Sequence, residues 1–248
     1  MFDRSIWIGY EPRELDAFVV ARSSIQRRLS ESVPIRGLVL SDLVERGLYR
    51  RSWHRTAGRM IDHVSDAPMS TEFAISRFLV PKLAITGWAL YADCDVLVRT
   101  DLVRLFALAE KRYAVMCVKH VHEPNERVKM DDQAQLLYAR KNWSSVMLFN
   151  CEHPSNDKLT VDMINRVPGR DLHRFCWLED EEIGELGPEW NYLVGYTRRK
   201  QLDVEPAIVH FTNGIPSMQG ARQNSEHEYK INMEYADEWN AALLEWVR

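Results

Sequence analysis

Short apolar runs alternate with stretches of helical periodicity along the chain, a pattern that predicts α/β architecture around a mostly parallel sheet. Ile6-Trp7-Ile8 reads as the first strand, ended by Gly9. Pro12 suits the first turn of the next helix, whose expected apolar face is Leu15, Phe18, Val19, the stem of Arg22 and Leu29. Leu38-Val39-Leu40 reads as a second strand. From about Ser41 to Met69 charges are dense and periodicity is weak, which predicts loops and short helices. Ser70 or Thr71 is placed to cap a helix through Phe73, Ala74, Phe78 and Leu79, with Pro81 kinking or restarting it. An apolar run from Trp88 leads into Asp93-Cys94-Asp95, and buried strands are expected at Ala114 to Val118, Val146 to Phe149 and Ala207 to Val209. Helices follow Thr100 and Thr160. At the C-terminus Tyr229, Met233, Ala236, Trp239, Leu243 and Trp246 share one face of an amphipathic helix at about 225–247. It is expected to dock on its own domain; a membrane-surface or partner-binding helix is the alternative.

The 248 residues, with no internal repeat or low-complexity linker, fit one domain spanning 1–248. Apolar residues make up 46% and charged residues 27%, which excludes a disordered or fibrous chain. A net charge of -4 argues against a nucleic-acid partner, since such proteins carry a basic excess. The four cysteines, Cys94, Cys117, Cys151 and Cys176, form no CxxC pair, so neither a zinc knuckle nor a disulfide scaffold is expected. No apolar run approaches the ~20 residues of a membrane span. The first strand follows Met1-Phe2-Asp3-Arg4-Ser5 too closely to leave room for a signal peptide. The expectation is a soluble cytoplasmic protein, with peripheral contact at the inner face of a membrane as an option.

The candidate chemistry centres on Asp93-Cys94-Asp95. Two carboxylates at i and i+2 share a side of an extended backbone, and the C-terminal end of a central strand is where α/β sheets place ligands. Like charges that close oppose each other's ionisation unless a cation intervenes. Hard Mg²⁺ or Mn²⁺ prefers carboxylate oxygens and leaves positions open for phosphate. A solvated surface turn would carry the same three letters with no function.

The runs Ile75-Ser76-Arg77-Phe78-Leu79-Val80-Pro81-Lys82-Leu83, Leu90-Tyr91-Ala92-Asp93-Cys94-Asp95-Val96-Leu97-Val98 and Asp101-Leu102-Val103-Arg104-Leu105-Phe106 resemble glycosyltransferase family 8. The likeness extends through Trp143-Ser144-Ser145-Val146-Met147-Leu148-Phe149-Asn150 to Ile208-Val209-His210-Phe211-Thr212-Asn213-Gly214. The resemblance implies a GT-A fold and transfer of a sugar from a nucleotide-diphospho-sugar, with a UDP-sugar the expected donor and a glycan or glycolipid hydroxyl the acceptor. It implies Mn²⁺ (or Mg²⁺) held by Asp93, Asp95 and His210. It places Arg77 and the Gly9-Tyr10 strand end against the nucleotide sugar, Asp180 and Glu181 at the sugar and acceptor as catalytic residues, and retention of anomeric configuration.

Two departures bear on these roles. The stretch after His210 lacks the lysine with which many family members meet the diphosphate, leaving Arg222 or Lys129 as substitutes. Ser145 stands where glycine is usual, and Asn142 is shifted by one position. Each residue also has a plainer account: Arg77 as a surface helix residue, His210 as a core histidine, the Glu179 to Glu182 run as a solvated helix start, and Trp143, Trp177 and Trp190 as core. Two other functions compete, a nucleotide-sugar-binding protein without turnover and a nucleotidyltransferase. The absence of a GxxxxGK[ST] loop, and of GxGxxG after the first strand, counts against the latter.

Overall fold

The computed structural model describes residues 4–56, 59–120, 140, 142–197, 199–218 and 234–247. Strand β1 (Arg4–Gly9) is followed by helix α1 (Leu15–Gln26), strand β2 (Ile35–Leu38) and helix α2 (Leu40–Glu45). Three short strands, β3 (Trp53–Thr56), β4 (Arg59–Asp62) and β5 (Ala67–Met69), lead to helices α3 (Phe73–Ser76) and α4 (Val80–Ala84). Next come β6 (Trp88–Ala92), β7 (Val96–Val98), β8 (Val115–Cys117) and β9 (Val146–Asn150). Last are β10 (Ile183–Glu185), β11 (Tyr192–Leu193) and β12 (Ile208–His210), with a C-terminal helix, Ala236–Val247.

The central sheet runs β10-β8-β9-β6-β1-β2, and only β9 opposes the others, so the expected mostly parallel α/β sheet is present. Helices cover both faces, which is why β6, β8 and β9 are buried at every position. Burying each large apolar side chain, such as Ile6, Ile8 or Leu90, contributes about 1.5–3 kcal/mol.

Local readings shift where tertiary contacts override them. Helix α1 buries Val19 of the predicted face, and Phe18 and, just past its end, Leu29 pack against the core, but Leu15 is half exposed and Ala17, Val20, Ala21, Ser24 and Ile25 complete the buried side. Small side chains let α1 lie close to the sheet, and Pro12 opens a separate 3-10 turn, Pro12–Glu14. The second strand ends at Leu38, and Leu40 begins a helix. The charged stretch before Met69 holds α2 but also the antiparallel meander β3-β4-β5, where loops were expected. Met60 and Asp62 point inward from β4, and Asp62 pairs with Arg51, both side chains fully buried. An ion pair at core positions hides the alternation that marks strands.

Neither Ser70 nor Thr71 caps the helix at Phe73; the buried Glu11 carboxylate accepts from the Glu72 backbone N–H at 2.9 Å instead. Pro81 does restart the helix, at α4. Thr160 Oγ1 caps Val161–Arg166 by accepting from Met163 N at 3.0 Å, as predicted. The C-terminal helix docks on α1 through Ala236, Trp239 and Ala242, while Trp246, assigned to the same face, is 58% exposed. Tyr229 and Met233 lie outside the described residues. No helix among the described residues is long and apolar enough to cross a membrane.

Candidate active site

At Asp93-Cys94-Asp95 the chain leaves the central sheet for another. Strand β6 ends at Ala92, and β7 joins β12 and β11 in a three-stranded sheet. The Asp-x-Asp segment is therefore a bend between two sheets, pinned by Asp93 N donating to Ser145 O and Phe211 N donating to Asp95 O, both at 2.9 Å. Antiparallel pairing of His210 with Val96 brings the imidazole against the bend. One ligand atom from each of Asp93, Asp95 and His210 lies within 4.8 Å of the others.

Asp93 is anchored from the sheet side. Arg77 Nη1 lies 2.9 Å from its Oδ1, and the Tyr91 hydroxyl donates to the same oxygen at 2.7 Å. Burial pushes the Asp93 carboxyl up and Arg77 opposes that shift. Arg77 is itself buried, donating to Ser144 O at 2.9 Å and lying over the Phe73 and Tyr91 rings. The plain surface-helix account of Arg77 therefore fails.

His210 Nε2 sits 3.2 Å from Asp95 Oδ1, a buried oxygen with no hydrogen-bond donor among the described residues. Burial disfavours charge on both groups, yet each favours the charged form of the other: Asp95 is lowered and His210 raised. An orphaned buried carboxylate oxygen beside an imidazole and a second carboxylate is a donor set that fits a hard divalent cation.

A cavity of about 590 Å³ opens over these groups. Its lining includes Arg13, Glu14, Ser70, Thr71 and Phe73, then Arg140, Asn142, Ser144, Ser145 and His173, and lastly Thr212, Gly214, Ile215 and Met218. Glu14 is pushed to about 7 by burial, then by Asp95 and Glu11, and accepts from the Cys94 thiol at 3.7 Å. His173 is pushed down to about 3 by burial and then by Arg77, and its Nδ1 lies 2.6 Å from Ser144 Oγ.

The remaining predicted residues fall around this cavity. Gly9 stands behind its wall: a Cβ there would meet the Phe73 ring at 2.5 Å. Tyr10 packs edge-on against Phe18 and does not line the cavity. Asp180 and Glu181 are exposed on a 3-10 turn outside the lining. Among the described residues Asp180 meets the cavity through Arg140, whose Nη2 donates to it at 2.6 Å. Glu179 and Glu182 form a capping box, as a helix start would. Trp177 and Trp190 are core, and Trp143 is partly buried with its indole N–H on His120 O. Lys129 and Arg222 lie outside the described residues.

Sequence reasoning missed Arg13, Glu14, His173 and Asn191. Glu11-Pro12-Arg13-Glu14 directly after a strand-ending glycine was the available signal for the first two. His173 and Asn191 carry none, because each is placed by chain far away in sequence.

No family model matches the chain. It is 44% identical over 214 residues to Protein CDI of Arabidopsis thaliana, covering 85% of this chain and 78% of that protein. General stress protein A of Bacillus subtilis (strain 168) is 25% identical over 198 residues, covering 69% and 66%. Among solved structures, the bifunctional glycosyltransferase WbbM superposes with TM-score 0.59 at 12% identity, over 98% of this chain and 50% of that one. The glycosyltransferase GlyE of Streptococcus pneumoniae gives TM-score 0.53 at 15% identity, over 100% and 64%. The galactosyltransferase LgtC, solved with donor and acceptor sugar analogs, gives 0.51 at 12%, over 97% and 95%. The chain spans only half of WbbM and under two thirds of GlyE, so those likenesses concern the fold. The chain belongs to the family of Protein CDI, and it carries that family's sequence on a GT-A glycosyltransferase fold.

Proposed function

We propose that the protein is a glycosyltransferase of the family 8 kind, transferring a hexose with retention from a nucleotide-diphospho-sugar, a UDP-sugar, to a glycan or glycolipid hydroxyl. The observation that carries this is the convergence of Asp93, Asp95 and His210 on an orphaned buried carboxylate oxygen under a cavity. In this reading those three residues hold Mn²⁺ or Mg²⁺, which when bound would offset charge on the leaving diphosphate. Arg77 keeps Asp93 aimed at the cavity, and His210 is held by the strand that pairs with β7. Glu14, Arg13 and the Phe73 wall, with Gly9 behind it, receive the nucleoside, with Tyr10 at the same strand end.

Asp180 acts in this proposal as a positioning residue through Arg140, and Glu181 as the sugar- or acceptor-facing group on the same turn. The continuous buried core supports treating 1–248 as one catalytic unit. A cytoplasmic setting, with or without peripheral membrane contact, belongs to the same proposal.

The test is incubation with UDP-, GDP-, CDP- and ADP-sugars, with and without Mn²⁺, while nucleoside diphosphate and pyrophosphate are assayed separately. Mn²⁺-dependent release of one nucleoside diphosphate is the expected result. Pyrophosphate release would make the protein a nucleotidyltransferase. Binding without release of either would make it a nucleotide-sugar-binding protein.

A further inference from the structure

A buried hydrogen-bond chain leads away from His210 on the side opposite Asp95. His210 Nδ1 lies 3.0 Å from Asn191 Oδ1, and Asn191 Nδ2 lies 2.9 Å from Ser145 Oγ. The Ser145 hydroxyl is in turn 3.0 Å from the Asn142 carbonyl. Asn191 is wholly buried, and Ser145 and His210 nearly so. It ends the 3-10 turn Pro188–Asn191, and β11, directly after it, pairs in parallel with β12, which carries His210.

The chain has one polarity. A carbonyl oxygen only accepts, so the Ser145 hydroxyl donates to Asn142. Its oxygen then accepts from the Asn191 amide nitrogen, which turns the Asn191 carbonyl oxygen toward the imidazole. That oxygen only accepts as well, so His210 Nδ1 bears the hydrogen. In the neutral ring Nε2 is then a bare lone pair, facing Asp95 Oδ1 at 3.2 Å. Two acceptors so placed share either a proton or a metal cation between them.

We propose that Asn191 is a positioning residue for His210, and that with Ser145 it locks the imidazole in the tautomer that presents Nε2 as a ligand. This rests on the metal-site reading above and deepens it. It also gives Ser145 a task that glycine could not perform, since only a hydroxyl can set the polarity of the Asn191 amide. Outer partners of this kind fix ring orientation and ligand basicity in metal sites generally.

Two measurements decide it. Long-range ¹⁵N NMR on histidine-labelled, metal-free protein, at a pH where the ring is neutral, reads the tautomer directly. Hydrogen on Nδ1 of His210 is expected in the wild type, and hydrogen on Nε2 would overturn the proposal. Electron paramagnetic resonance titration with Mn²⁺ alone reads affinity without any turnover. Asn191→Leu should weaken Mn²⁺ binding about 10- to 100-fold, and Asn191→Asp, which still accepts from Nδ1, should restore most of it. Equal affinity in Asn191→Leu and wild type would leave Asn191 a merely structural residue.

Should Asn191→Leu fail to fold, Ser145→Ala carries the test: it frees the amide to flip, so a mixed tautomer is expected and an unmixed one overturns the lock. A wild type that takes up no Mn²⁺ would sink the metal reading, while the tautomer measurement would still decide the role of Asn191.

Discussion

The guanidinium of Arg77 is committed to protein partners before any substrate arrives: it meets Asp93 Oδ1 and Ser144 O, and its charge is buried. Removing one partner of such a pair strands the other, at a cost of about 3–5 kcal/mol. Arg77→Ala should therefore lower stability in urea unfolding by roughly 3 kcal/mol, as well as weakening nucleotide binding. Arg77→Lys should recover little, because one ammonium cannot reproduce the forked contacts. Asp95→Asn keeps the side-chain shape but removes the charge that faces His210, so the variant should stay folded at a modest cost in stability and lose Mn²⁺ binding in the same titration.

His173 predicts a pH effect whose sign is fixed by burial. Its folded pKa of about 3 lies below the ~6.5 of an unfolded histidine, so the unfolded chain binds the proton first. Stability should fall as pH drops below 6.5 toward 3, with a slope approaching about 1.4 kcal/mol per pH unit from this residue. Urea midpoints between pH 7.5 and pH 5, compared for wild type and His173→Gln, should show a shallower fall in the variant. An unchanged slope would mean that the ring is hydrated or charged in the fold.

At the scale of elements, β1 and α3 meet where Gly9 lies against Phe73. The missing side chain is a packing requirement there, since a methyl group would stand 2.5 Å from the ring. Gly9→Ala should cost about 1–3 kcal/mol by overpacking and should shift the cavity wall, raising the donor KM more than it lowers kcat. The meander β3-β4-β5 was illegible for a related reason. Asp62 and Arg51 are charged residues at inward positions, and they satisfy each other and the Ile164 and Val167 carbonyls. The C-terminal helix is the mirror case: its periodicity was legible, but the end of the buried stripe was not. The apolar Leu244 and Trp246 are left largely exposed, while Arg27 of α1's C-terminal end pairs with Glu245.

For the whole molecule, the useful prediction couples folding to ligand. A nucleoside diphosphate at about 100 times its dissociation constant should stabilise the fold by roughly 2.7 kcal/mol, visible as a rise in Tm. With Mn²⁺ present, one of UDP, GDP, CDP and ADP should give that rise, and Asp95→Asn should abolish it. No rise with any of the four would remove the donor site from the proposal while leaving the GT-A fold in place. Glu181→Gln should leave this binding signal intact and lower turnover; equal turnover would take Glu181 out of the chemistry.

What the sequence determined by itself was the architecture and which residues would gather at the candidate site. Buried strands announce themselves by unbroken apolar runs, and Asp93, Asp95, His210 and Arg77 sit at the ends or flanks of such runs, where patterning and resemblance both reach. Only the tertiary structure decided what surrounds them. Glu11 caps a helix some sixty positions away, burial beside Arg77 holds the His173 imidazole low, and Asn191 meets His210 because two short strands lie side by side. Those relations depend on which backbone segments become neighbours. Long-range pairing leaves no periodicity behind, because a buried polar residue carries the same letter whether it is satisfied by a neighbour in sequence or by a partner across the fold.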